Sequence, residues 1–89
     1  MDAGKPRMEL IPASALVSLG FILGYGAEKY EPDGWQDVEP DRYVGALLRH
    51  LAAHMDGEVF DEESGFRHLE HVLCNAAFLN HLFRGDEVT

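Results

Sequence analysis

The chain has 89 residues, 46% of them hydrophobic, and a net charge of −9 from 16 acidic and 7 basic side chains. That balance excludes a nucleic-acid binder, which works by neutralising phosphates with Lys and Arg, and no run is apolar and long enough to span a membrane. A domain of this size buries only about 60–65% of the surface its unfolded chain exposes, so this much apolar material predicts a single domain over 1–89 that completes its core as a homodimer or higher homo-oligomer.

The N-terminus carries no charged-then-apolar leader, which makes the cytoplasm the expected compartment. The lone Cys74 forms no intrachain disulfide and reads as a small buried residue of a helix.

Residues 1–10 read as an extended arm, because Gly4 and Pro6 discourage a helix; Lys5 and Arg7 there are a solubilising pair unless an anionic substrate exists. From Pro12 the pattern turns helical, with Leu16, Leu19, Leu23 and Ala27 at spacings of three and four, and helix 1 is expected over 12–29. Gly20, Gly24 and Gly26 weaken it but allow another backbone to approach closely. Residues 30–40 hold two prolines and the Asp33-Gly34 turn signal, and so form a loop. In it Trp35 reads as a plug on the core, with a stacking platform for a base as the alternative.

Helix 2 is expected over 41–55, stopped by Gly57. Val44, Leu48, Leu51 and Met55 make its apolar stripe, and Tyr43, Leu47, His50 and His54 make the adjacent one, which points two imidazoles into a groove between helices. Helix 3 is expected over 61–83 with Asp61 as its N-cap and Arg84 and Gly85 at its end. Its apolar face would be Leu69, Val72, Ala76, Leu79 and Phe83. Beside that face Asp61, Ser64, His68, His71 and Asn75 fall on one line at three-four-three-four spacing.

The segment from His50 to Asn75 holds four of the chain's five histidines together with Asp56, Glu58, Asp61, Glu62, Glu63 and Glu70. N-capping and the helix dipole account for Asp61 and Glu62, but not for Glu58. Imidazole nitrogens with carboxylate oxygens suit Mn, Fe, Co or Zn, whereas carboxylates alone suit Mg. With His50 on helix 2, Glu58 in the connection, and Asp61, His68 and His71 on helix 3, an antiparallel helix pair would enclose a metal site able to activate water and clamp a polyphosphate.

Four segments carry a family resemblance: GKPRMELIP (4–12), GAEKYEPDGW (26–35), RYVGALLRH (42–50) and GEVFDEESGFRHLEHVLCNAAFL (57–79). Together they resemble the phage-encoded domain described as dATP/dGTP diphosphohydrolase, N-terminal. The last segment is the most specific, combining Glu58, Asp61, Glu63, Ser64, Gly65, His68 and His71 at fixed spacing. The resemblance implies a MazG-like, all-α bundle of three main helices in a phage setting, hence the host cytoplasm. It implies metal-dependent hydrolysis of a purine deoxynucleoside triphosphate to monophosphate and pyrophosphate, with Mg or Mn as the expected ion and Co, Fe or Zn as alternatives.

By the same resemblance His50, Glu58, Asp61, Glu63, His68 and His71 form the metal and water site, with Glu58, Asp61 and Glu63 as the catalytic carboxylates. Lys5, Arg7, Lys29 and Arg42 face phosphates, and Tyr30 and Trp35 bound the base. Helix 2 departs from well-studied MazG proteins, offering His50 and His54 where they carry EExxE. A formal ExxE and ExxD pairing does exist, in Glu28, Glu31, Glu58 and Asp61, although Glu31 precedes Pro32 and falls off the helix. The alternative reading is a non-catalytic helical protein whose histidines form a structural metal site or a pH-sensitive interface that binds a host partner.

Overall fold

The structure, a computed structural model, describes residues 4–29 and 34–83, with Lys29 described in its backbone only. Among these residues the chain is all-α. It comprises α1 (Ala13–Lys29), α2 (Pro40–Met55) and α3 (His68–Phe83), with 3-10 turns at Met8–Leu10 and Gly34–Asp37. An isolated antiparallel bridge pairs Phe60 with Arg67. No described helix is long and apolar enough to cross a membrane.

Helices α1 and α2 keep their expected ends to within one residue. Pro40 opens α2, where its missing N–H costs nothing. At the other end Glu58 N–H bonds to the Ala53 carbonyl and Gly57 N–H to that of His54, with Gly57 at φ +96°. These are the two bonds of a Schellman cap, which needs a left-handed residue at Gly57.

Helix α3 departs from expectation: it begins at His68, seven positions after Asp61. Asp61 does cap, but it caps a turn. Its Oδ2 accepts the Ser64 N–H at 2.9 Å and the Ser64 hydroxyl at 2.7 Å, and Gly65 at φ +80° then reverses the chain. Backbone bonds from Asp61 N–H to Phe66 and from His68 N–H to Val59 fasten 59–68 into a tight loop. A local side-chain bond has therefore displaced the first two turns of the expected helix. The helix is started instead by Glu70, whose carboxylate reaches back to the Arg67 N–H at 2.9 Å in the manner of a capping box. That bond, with the Ser18 hydroxyl of α1, holds Glu70 below the usual carboxylate range despite partial burial.

Helix α3 is the centre of the fold. It packs most extensively on α2 and secondarily on α1, and the Gly34–Asp37 turn rests on it; α1 and α2 make no packing contact with each other among the described residues. A cleft is therefore left between α1 and α2, floored by α3.

What faces inward bears out part of the stripes read from spacing, Leu19 on α1 and Tyr43, Leu47 and His50 on α2, and corrects the rest. The described apolar residues that are buried are Ile22 and Cys74, joined by the polar His68 and Asn75. On α3 the polar line of His68, His71 and Asn75 turns inward, while Leu69, Ala76 and Phe83 are exposed. On α2 the half-buried side is Tyr43, Leu47, His50 and Leu51; Val44, Leu48 (56% exposed) and Met55 face out, and so does His54. On α1, Ile22 and Leu19 turn in, whereas Leu16, Val17, Phe21 and Leu23 do not. Among the described residues His68 is thus buried and His50 and His71 half-buried while Leu16, Leu48 and Phe21 stay exposed, which core formation alone would not select.

Candidate active site

The loop 59–68 and α2 bring three ligand-type side chains together. One atom each of His50, Asp61 and His68 lies within 4.8 Å of the others. The Nδ1 atoms of His50 and His68 face each other at 2.9 Å, and the buried Nε2 of His68 has no hydrogen-bond partner among the described residues. Two nitrogens and a carboxylate oxygen, with a buried imidazole incompletely satisfied by the chain, are a donor set that fits a divalent cation.

His71 lies beside this cluster. Its ring stacks on that of His50 with centroids 4.2 Å apart and planes 8° from parallel, and its Nε2 is 2.7 Å from Ser64 Oγ and 3.7 Å from Asp61 Oδ2. The Ser64 hydroxyl gives its one proton to the Asp61 carboxylate, so it accepts from His71 Nε2–H and, at 3.2 Å, from the Phe66 N–H. This fixes the tautomer of His71 and leaves the lone pair on Nδ1. Asn75 donates to the His71 carbonyl at 2.8 Å, one turn further along α3.

The electrostatics favour neutral imidazoles beside an ionised carboxylate. Burial pushes His50 below the usual histidine value, helped by repulsion from His71. Burial likewise lowers His71, and is opposed there by Asp61. For Asp61 burial acts against ionisation, but the two Ser64 hydrogen bonds and the neighbouring imidazoles prevail and hold its carboxyl below the usual range. These shifts favour a nitrogen lone pair on His50 and a negative oxygen on Asp61, the protonation states that ligation requires.

The cleft between α1 and α2 holds a cavity of about 660 Å³ that His71 helps to line. Trp35, Tyr43 and Phe78 supply its aromatic wall, Ile22 and Tyr25 the α1 side, and Arg42, Asn75 and His71 its polar groups. Trp35 stacks on Phe78 with centroids 4.4 Å apart, His81 meets its ring edge-on, and the Tyr43 hydroxyl donates to the Trp35 carbonyl. Trp35 is thus a plug against α3 and a wall of the cavity at once. Cys74 also lines the cavity, and burial pushes its thiol up to about 11, so it is an inert wall residue and not a nucleophile.

Other expected site residues fall elsewhere. Glu58 and Glu63 are exposed and outside the three-residue cluster, though Glu63 lies close enough to act electrostatically on His71. Arg7 pairs with Glu9 on the surface, and neither Arg7 nor Lys5 lines the cavity. Tyr30 and Glu31 lie outside the described residues, as do the side chain of Lys29 and the Arg84 and Gly85 stop. Phe78 and Tyr43 are wall residues that the sequence reading did not assign to a site. Phe78 was findable, because it continues the line of His68, His71 and Asn75 by one more step of three.

The fold and this site define a small all-α domain with a histidine and carboxylate centre beside an aromatic cleft. The chain belongs to the family described as dATP/dGTP diphosphohydrolase, N-terminal, whose model matches residues 1–89. It is also similar to a dATP/dGTP diphosphohydrolase of Salmonella phage PMBT28, 27% identical over 78 residues. That match covers 88% of this chain but only 27% of the relative, so the chain spans about a quarter of the relative's length. No solved structure matches.

Proposed function

We propose that this domain hydrolyses a purine deoxynucleoside triphosphate to the monophosphate and pyrophosphate, with a divalent metal held by His50, Asp61 and His68. The observation that carries the reading is the position of His71, whose ring borders both the ligand cluster and the aromatic cavity. A single residue thus joins a cation-type site to a space of nucleotide-base dimensions. The family membership supports the substrate class, since the relative's printed activity is on dATP and dGTP.

In this reading the base lies in the cavity against Trp35 and Phe78, and Arg42 at the cavity wall takes a phosphate oxygen. Water attacks the α-phosphorus, the bond to the bridging oxygen of the β-phosphate breaks, and pyrophosphate leaves. Glu63 or the Nδ1 of His71 takes the water's proton, with Ser64 and Asp61 holding the His71 ring in place. A divalent cation bound at the cluster supplies neutralisation of charge on the phosphate oxygens. Glu58, exposed in the cap of α2 just before that loop, is a supporting carboxylate in this reading.

The reading extends to assembly. Val17, Gly20, Phe21 and Gly24 share one exposed face of α1, and a Cβ built on either glycine would meet nothing within 4 Å outside its own helix among the described residues. A homo-oligomer packed through this face would supply the close helix contact that the glycines allow and this chain does not make. A MazG-like arrangement of helices is the expected form of that assembly.

Chelator-stripped protein supplied with Mg, Mn, Co or Zn is expected to release pyrophosphate, and no orthophosphate, from dATP or dGTP. Release from no purine nucleotide with any of these metals would overturn the reading and favour a non-catalytic helical protein.

A further inference from the structure

Two of the three clustered donors are imidazole nitrogens. Magnesium takes oxygen ligands and keeps several of its waters, whereas imidazole suits the later first-row divalent ions. Two histidines and one carboxylate also leave coordination positions open to further oxygens, as in catalytic sites of those metals.

The head-on contact of His50 and His68 sharpens this. Two identical Nδ1 atoms at 2.9 Å cannot both donate or both accept, so one proton or one cation must sit between their lone pairs. His68 is only 6% exposed and its Nε2 is unpartnered among the described residues. Without a cation only one of the two Nδ1 lone pairs is free to accept, the other ring spending its proton on the contact, whereas a cation between them engages both lone pairs at once. Among the described residues the exposed carboxylates Glu58 and Glu63 lie outside this three-residue cluster.

We propose that His50, Asp61 and His68 form a site for one divalent ion of the Co and Zn class in preference to Mg. This deepens the hydrolase reading, on which its catalytic meaning rests. Its test uses no nucleotide, so the metal preference and the hydrolase activity can fail separately.

The test is titration of the chelator-stripped chain with Co(II), followed by its visible d–d absorption. One equivalent is expected to bind, to be displaced by Zn(II), and to resist a large excess of Mg(II). Asp61→Asn retains an oxygen to accept the Ser64 bonds while losing the charge, and His50→Ala alters a half-exposed ring. Each variant is expected to keep its helical circular dichroism and to bind Co(II) at least about tenfold more weakly, no less than loss of an outer-shell partner costs. Absence of a Co(II) spectrum, displacement by Mg(II) at comparable concentration, or wild-type affinity in both folded variants would overturn the proposal.

Discussion

Asp61→Asn is expected to lower pyrophosphate release from dATP or dGTP by about 100-fold or more, beyond the effect of losing an outer-shell metal partner. The change is nearly isosteric. The two Ser64 bonds at 2.9 and 2.7 Å need only an oxygen acceptor, and the turn 61–65 is independently fastened by the Gly65 N–H to Asp61 carbonyl bond. Fold and cavity should therefore persist, while the cluster loses its negative donor and His71 loses the charge beside its Nε2. Steady-state kinetics with parallel circular dichroism checks this. Wild-type turnover in a folded variant would remove Asp61 from the mechanism.

Phe21→Glu is expected to turn an oligomer into monomers. In the single chain Phe21 is 66% exposed, so an isolated monomer should notice the change by no more than about 0.5 kcal/mol. Across a two-fold seam, each copy would instead forfeit about 1.5–3 kcal/mol of apolar burial and add a carboxylate to the interface. The two copies together weaken association by on the order of 100-fold or more. Sedimentation equilibrium at micromolar concentration reads the result directly. A wild-type chain that is already monomeric, or a variant that stays associated, would contradict the assembly.

These outcomes follow from residues whose legibility in the sequence differed. The position of α2 was readable because Pro40 and Gly57 mark its ends with strong local chemistry, and that of α1 because a helical spacing follows Pro12. The line of Asp61, Ser64, His68, His71 and Asn75 was readable too, yet for a partly mistaken reason. The spacing suggested one helix, but Asp61 and Ser64 lie in a turn and reach His71 by folding back over the start of α3. A side chain that can bond the backbone three residues on competes with helix at that position, and periodicity does not register the competition.

The stripe of Tyr43, Leu47 and His50 does turn inward as its spacing predicted, but the apolar faces were partly misread because apolar spacing identifies a face that needs cover, not the partner that covers it. Leu16, Leu48 and Phe83 lie on such faces and are exposed in this chain. The cavity was largely illegible. It arises because α1 and α2 both pack on α3 without meeting each other, and no local pattern encodes a gap. His50 pairing with His68 across 18 positions was legible only as chemistry, two ligand-type residues facing one groove.

The central claim is that the cluster and the cavity are one site, and Trp35, the chain's single tryptophan, reports on it from the cavity wall. The most direct measurement is quenching of its fluorescence by a non-hydrolysable purine deoxynucleoside triphosphate analogue, with metal present and with metal stripped. Saturable quenching is expected with metal, and the analogue's affinity should fall at least about tenfold without it, the loss of roughly one 1.4 kcal/mol step of phosphate binding. Equal quenching in both states, or none in either, would mean that the metal cluster and the aromatic cavity do not share a substrate.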